Sequence, residues 1–394
     1  MNTDIPEGWE RVDFSKVTYV KGKSQSSYRP GRFVYLTPEY LREKTKPVMI
    51  SEFPDCVFTN EDETILLWDG SNAGEVFRSR KGILASTMVK FVLNVHDFDS
   101  CFLYFSLKLH EEKIKSERRG SGIPHVDKST LSKLSYVKPK SISEQRRIAA
   151  ILQSVDNAID KTKEVIEKHK KMKQGLMQDL FEADETWIST TAGELLQEGT
   201  FSEIQDGNHG ELHPKSSDFV DEGIPFVMAN DIIDGKIDLE HCHRISEKQY
   251  LKLRIGFSKP EDVLLTHKGT VGRTCIVPPK LTKIMLTPQV TYYRLRDKNK
   301  LDNEYLLHFF NSDRFQKQIQ ALSAQSTRNY IGILEQKKLT IEMPCDIREQ
   351  RRIVTILTSA SSKICSEVEY LNKLIKIKAG LMQDLLTGKV RVAA

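Results

Sequence analysis

The sequence predicts an internally duplicated chain in which two long helices, folded back on each other as an antiparallel coil, alternate with two globular regions. Three observations lead there. The block Glu-Gln-Arg-Arg-Ile, closing on Lys-x-Gly-Leu-Met-Gln-Asp-Leu, spans Glu144 to Leu180 and recurs from Glu349 to Leu385 with 19 of 37 aligned positions identical. Each copy carries one apolar stripe at helical spacing. The stretches between the copies have drifted apart, so a repeated frame holds two dissimilar parts.

The helical reading rests on Ile148, Leu152, Val155, Ile159, Thr162, Ile166, His169, Lys173 and Leu176, and on Ile353, Leu357, Ala360, Ile364, Leu371, Ile375 and Leu381, which follow a three-four spacing. Neither block contains proline. Ser141 stands three before Glu144 and Asp346 three before Glu349, the pattern of an N-cap side chain with a capping glutamate. Pro139 and Pro344 precede them at one offset, and Gly388 with Lys389 sits where the second helix should stop. A helix of about 40 residues is roughly 60 Å long at ~1.5 Å per residue, longer than most domains are wide. Its seam is too narrow for a buried core helix and suits a two-helix coil. Each helix pairing with its copy in a second chain is the competing arrangement. The internal pair is favoured because two copies in one chain meet at high effective concentration.

A chain of 394 residues exceeds one ordinary core, so two domains of roughly 130 to 170 residues are expected. A charged fraction of 29% and no apolar run near ~20 residues argue against membrane residence. The first nine residues are acidic and polar rather than a secretory leader, so a cytoplasmic location is expected. Six cysteines show no paired spacing, which leaves neither a disulfide framework nor a zinc site in prospect. His241, Cys242 and His243 adjoin, but no second ligand pair is near, and a strand or turn with incidental polar residues is the simpler reading.

A net charge of +5 permits nucleic-acid binding without demanding it. The placement of polar and basic residues says more. In the first variable region they gather at Lys21, Lys23, Ser24, Gln25, Tyr28 and Arg29, then at Ser71, Asn72, Arg78, Arg80 and Lys81, then at Arg118, Arg119 and Ser121 leading to His125. The second region offers Gln205, Asn208 and His209, then His267, Lys268, Thr270 and Arg273, then Gln325, Ser326, Thr327, Arg328, Asn329 and Tyr330. The order matches: Leu66-Leu67 before Gly70 is set against Leu264-Leu265 before Gly269, His125 against Tyr330, and Trp9 against Trp187. Measured between those tryptophans and the helix boxes, the second region carries 27 extra residues, mostly before Leu264. Any one loop reads equally as a solvated turn. Six in corresponding places, rich in side chains that fit base edges and phosphates, favour DNA contact.

Catalytic patterns are missing. Gly269 to Arg273 lacks the spacing of a nucleotide-binding loop, and no adenine methyltransferase tetrapeptide is present. Asp99 with Glu111, Glu112 and Lys113 evokes a nuclease set, yet Cys101 to Ile114 reads as a helix with a charged face. No catalytic or metal-binding residue is assigned.

The paired helix boxes, the openings at Ile5 to Trp9 and at Trp187, the Leu-Leu turns and the approach Gly122 to His125 resemble the DNA-specificity subunit of type I restriction-modification systems, over essentially the whole chain. The resemblance implies an α+β fold, with two mixed α/β target recognition domains separated by two long antiparallel helices forming a coiled coil, in an internal pseudo-twofold repeat. The implied division is a first recognition domain over 1–140, a first conserved helix over 141–182, a second recognition domain over 183–345, and the second helix with the tail over 346–394. Each domain would read one half of a split double-stranded target, and the helices would set the gap. The helix boxes, through Gln145, Arg146, Arg147, Gln178, Gln350, Arg351, Arg352 and Gln383, would dock modification subunits that use S-adenosylmethionine to methylate adenine. Restriction subunits would add ATP-dependent cleavage, with ATP and Mg, like S-adenosylmethionine, on the partners and no cofactor in this chain. A short tail after Leu386 leaves open how many modification subunits dock. The other reading is a two-headed coiled-coil scaffold for protein ligands; indifference to duplex DNA would favour it.

Overall fold

A computed structural model of the chain describes residues 5–14, 17–94, 96–120, 122–182, 186–324 and 329–392. It divides into two compact units, Met1–Val165 with Glu367–Ala394, and Ile166–Ser366.

In the first unit the strands are β1 (Trp9–Asp13), β2 (Thr18–Lys21), β3 (Pro30–Leu36), β4 (Val48–Ile50), β5 (Phe58–Thr59), β6 (Thr64–Leu67), β7 (Val76–Arg78), β8 (Gly82–Leu84), β9 (Met88–Val92) and β10 (Ser135–Pro139). Helices α1 (Pro38–Leu41), α2 (Ser100–Leu109), α3 (Glu111–Ser116) and α4 (Lys128–Lys133) lie between them, and α5 (Ile142–Leu180) follows. One antiparallel sheet runs β2-β9-β6-β7; a second runs β4-β3-β8-β5, with β3 parallel to β8. Strands β1 and β10 close the unit as a ribbon in which Trp9 faces Pro139.

The second unit repeats this order. Its elements are β11 (Trp187–Thr191), α6 (Ala192–Gln197), β12 (Phe201–Asp206), β13 (Phe219–Val227), β14 (Ile232–Ile233), β15 (Lys236–Ile237), β16 (Arg244–Ile245), α7 (Glu247–Tyr250), β17 (Phe257–Ser258), β18 (Val263–Thr266), β19 (Thr274–Ile276), β20 (Ile284–Leu286), β21 (Val290–Leu295), α8 (Asn303–Phe310), α9 (Asp313–Ala324), α10 (Ile333–Lys337), β22 (Thr340–Pro344) and α11 (Ile347–Leu386). The sheets are β12-β21-β18-β19 and β16-β13-β20-β17, with β13 parallel to β20. The ribbon of β11 and β22 sets Trp187 opposite Pro344. The protein is therefore mixed α/β, with one topology used twice. The surplus of the second unit includes the β14–β15 hairpin, whose tip Asp234-Gly235 has both φ positive, as a tight two-residue hairpin turn requires.

Burial follows the sequence. Leu66, Val76, Val89, Phe102 and Phe105 form the first core with Ile148 and Leu152 of α5 and Leu385 and Leu386 of α11. Val263, Leu265, Tyr293, Tyr305 and Phe309 form the second with Phe181, Ile353 and Leu357. Within each unit, then, opposite halves of α5 and α11 share a core, and in the first unit Asp156 of α5 meets Lys378 of α11 at 2.5 Å. The two helices run 39 and 40 residues. Every expected seam position of α5 is at least half-buried, whereas in α11 Ile375 is exposed and the neighbouring Leu374 is buried in its place.

The helix starts differ from expectation in one respect. Asp346 accepts from the Arg348 N–H at 2.9 Å and caps α11 as expected. Ser141 bonds the Ser143 hydroxyl, and Glu144 grips Arg391 through both oxygens at 2.8 and 3.0 Å. A guanidinium fork offers a carboxylate two charge-assisted bonds where a backbone N–H offers one. Gly388 ends α11 as expected: its φ is +73°, and a Cβ there would lie 2.6 Å from Pro6 Cγ. Asp99 caps α2 through the Phe102 N–H, and Glu111 holds the Val76 N–H, so the imagined nuclease carboxylates serve the fold. Burial would raise the Glu111 carboxyl, but Lys108 and Lys115 outweigh it and keep it below the ordinary carboxylate range. No described helix is long and apolar enough to cross a membrane.

Candidate nucleic-acid interface

In each unit three sequence-distant segments meet at the end of the first sheet. In the first unit the turn after β6 is fixed when Trp68 N–H donates to Thr87 O at 2.7 Å and Gly70 N–H to Pro124 O at 2.8 Å. Val126 N–H returns to Trp68 O at 2.9 Å, and Arg119 and His125 exchange backbone bonds. The loop after β2 joins them through Gly22, whose N–H donates to Met88 O, and through Lys21, which pairs with Asp69 at 2.6 Å. Arg118 closes the group by donating to Ser71 O.

The second unit uses the same bonds. His267 N–H donates to Gln289 O, Gly269 N–H to Asn329 O and Ile331 N–H to His267 O, at 2.9, 3.2 and 3.0 Å. Gly207 N–H donates to Val290 O at 2.9 Å, as Gly22 does to Met88. These bonds align Trp68 with His267 and hence Leu66 with Leu265, one residue away from the match expected from the leucine pairs. The glycine turn sets the register; the hydrophobic pair does not, because both flanking residues are buried in either frame. They also align Lys21 with Asp206 and Asp69 with Lys268, so the charges at this junction are inverted between the units.

Lys21, Lys23, Ser71, Asn72, Arg118, Arg119, His125, His209, Lys268, Asn329 and Tyr330 gather in these junctions as exposed groups. Ser24, Gln25 and Arg29 continue the loop after β2, and Gln205 is half-buried on β12. Arg273 donates to Ile232 O at 3.0 Å and Thr270 to Asn230 at 3.4 Å, so both turn toward the β14–β15 hairpin. That hairpin and Asn230 were not among the expected residues; an Asp-Gly turn between short apolar runs was the available signal. Ser121, Gln325, Ser326, Thr327 and Arg328 lie outside the described residues.

Other expected contacts are corrected by their surroundings. Arg78 is bound to Asp62, Arg80 to Glu43 at 2.8 Å while lying over Tyr40, and the Lys81 N–H to Glu61. All three sit at the end of β7 remote from its turn, where acidic neighbours claim the two arginine side chains, while the Lys81 side chain is exposed. Tyr28 packs in the second sheet's core, its hydroxyl 2.9 Å from that of Tyr35, whose own ionisation is pushed up to about 12 by burial and this bond. Asn208 and His267 are 2% and 1% exposed and fasten the loops from inside. His267 Nδ1 meets Ile331 O at 3.0 Å, and burial lowers its tendency to protonate. His241 turns to Asp238, and His243 stacks on Phe219.

The docking residues divide likewise. Gln145 is fully buried: its amide accepts from Asp99 N–H and donates to Asp97 O and Pro139 O, at 2.9, 3.0 and 2.9 Å. Gln350 makes the same three bonds, accepting from Asp302 N–H and donating to Lys300 O and Pro344 O. Both are therefore withdrawn from any docking surface. Arg146 and Arg351 lean toward Asp99 and Asp302, and Arg352 pairs with Glu349. Arg147 is half-buried, while Gln178, bonded to Asp313, and Gln383, beside a cavity of about 610 Å³ lined by Arg11, His110 and Leu386, stay exposed.

Comparison with known proteins agrees with this architecture. The family model of the type I restriction modification DNA specificity domain matches residues 6–169 and 196–378. The type I restriction enzyme MjaVIII specificity subunit of Methanocaldococcus jannaschii is 31% identical, with 98% of this chain and 94% of that protein covered. The EcoBI specificity subunit of Escherichia coli is 21% identical over 98% and 86% of the two chains. The crystal structure of a type I restriction-modification S subunit from M. genitalium superposes with a TM-score of 0.62 at 16% identity, covering 98% of this chain and 97% of that one. A chain solved in work on assembly of the type I restriction-modification system gives 0.60 at 17%, over 98% and 100%. With both repeats matched and nearly the full length aligned, the chain belongs to the type I restriction-modification DNA specificity family.

Proposed function

We propose that this chain reads a double-stranded DNA target in two parts, one per unit, and directs partner subunits to it without catalysing a reaction itself. The observation that carries this reading is the inverted junction: the same three segments, fastened by the same backbone bonds, hold Lys21 paired with Asp69 in one unit, and at the matching positions of the other Asp206 beside His209 and Lys268 over Tyr330. A single frame with unlike reading groups suits two different half-sites. Exposed lysines and arginines would contribute salt-dependent phosphate contacts, and a few groove contacts would discriminate bases, each worth about 1 to 3 kcal/mol. In this reading residues 1–140 and 183–345 are the readers. The helices at 141–182 and 346–394 are spacer and dock, the two paired as an antiparallel coil. Modification subunits would bring S-adenosylmethionine to methylate adenine, and restriction subunits would bring ATP and Mg for cleavage.

The test is competitive binding with duplexes mutated in one half at a time. Lys268→Ala should blunt the response to changes in one half-site and leave the other intact. An equal loss on both halves contradicts the two-reader assignment. Methylation or cleavage by the purified chain alone, given S-adenosylmethionine or ATP, would refute the non-catalytic role.

A further inference from the structure

We propose that His125 and Tyr330 are planar inserts, one per unit, that enter the base stack of the bound duplex and replace the stacking lost when a partner subunit draws out the target base. The proposal rests on the two-part reading above. His125 bridges to Asp69 and Tyr330 to Lys268, so the two rings hold one position in the repeat. Both are exposed, Tyr330 at 42%.

The His125 backbone is tied to Arg119, and the Tyr330 ring has neighbours of its own. A Cβ at Gly120 would lie 3.2 Å from His125 Nδ1, and one at Gly332 would lie 3.5 Å from Tyr330 Oη, so in each unit a glycine leaves room beside the ring. Tyr330 further rests 5.6 Å from the buried His267 ring, with Lys268 Nζ 6.0 Å from its centroid. A ring already braced loses little freedom on binding.

The neighbouring positions change charge sign between units, as sequence-reading positions should. This one keeps a flat ring. Stacking on a base is indifferent to which base it is, because every base has a π-face, so one device can serve two unlike half-sites. Extracting a base from the duplex forfeits its stacking on both sides, and a planar side chain at the centre of the contact offsets that loss.

The test uses the chain assembled with its modification subunits: unstacking is read as the fluorescence rise of duplexes carrying 2-aminopurine at one target position at a time, and methylation is read on the matching adenine duplexes, because 2-aminopurine has no 6-amino group to accept the methyl. Tyr330→Ala should reduce the rise and the methylation rate in one half by roughly tenfold, the scale of a single stacking contact, and leave the other half unchanged. Tyr330→Phe should retain both, which a hydroxyl contact would not. His125→Ala should affect the opposite half, with His125→Phe rescuing it. An undiminished rise with Tyr330→Ala, or equal damage from Tyr330→Phe, overturns the insert. A native complex that does not distinguish target from scrambled duplex overturns the underlying two-part reading, and the insert with it.

Discussion

At the scale of single residues, the firmest assignments concern groups buried with full hydrogen bonding. Gln145 bonds one N–H and two carbonyls, of which Asp97 O also accepts from Lys138 Nζ at 3.2 Å, and Gln350 bonds the matching three groups in the second unit. Removing the Gln145 amide strands the Asp99 N–H and Pro139 O, each at about 1 to 3 kcal/mol. Gln145→Ala should therefore cost roughly 3 kcal/mol in chemical denaturation, and a loss below ~1 kcal/mol would show the tie to be dispensable. His308 makes the opposite case, a buried group held neutral. Burial, with Lys173 adding to it, lowers its pKa from 6.5 to about 4. Between those values the unfolded chain binds a proton that the folded chain refuses, so stability falls as pH drops through that window, by up to about 3 kcal/mol. His308→Leu should remove this loss, so that the native-minus-variant difference in melting temperature falls as pH drops from 6.5 to 4; parallel curves would discount the histidine.

Elements succeed or fail on backbone approach. A Cβ at Gly22 would stand 2.1 Å from Ala85 O and one at Gly207 2.0 Å from Thr287 O, so the first junction segment in each unit has room only for glycine. Gly207→Ala should displace that loop at a cost of about 1 to 3 kcal/mol, the range for overpacking, and should weaken recognition of one half-site in binding assays. Unchanged melting and binding would mean the loop moves aside freely. The same elements explain what could be read from the letters. Helices α5 and α11 were legible because a three-four stripe persists across about ten turns, whereas the ribbons that set Trp9 against Pro139 and Trp187 against Pro344 were not, because each joins the two far ends of its unit. Arg78 and Arg80 were misplaced because their fate depends on Asp62 and Glu43, which only the fold brings near. His267 looked like a loop residue, but its partner Ile331 lies 64 positions away. A buried tie of that range leaves no local trace.

For the whole molecule, duplication with divergence makes a specific demand on the two long helices. If each unit reads one half of a target, something must fix the gap between halves, and α5 and α11 are the elements that pass from one unit's residues into the other's. Deleting seven residues from the middle of each shortens a helix by about 10 Å at ~1.5 Å per residue. Seven residues are nearly two turns, so the apolar seam drifts by only about 20° and the faces stay in phase. A reduction of about 10 Å corresponds to roughly three base pairs at ~3.4 Å each. Methylation profiling of a host carrying the shortened chain with its partner subunits should then report the same two half-sites separated by a gap about three base pairs smaller. Deleting four residues in each helix should instead abolish methylation, because a shift of that size turns the seam by about 40° and misdirects both readers. The same gap before and after the seven-residue deletion would remove the helices from the role of spacer and move that role to the loops or to a partner.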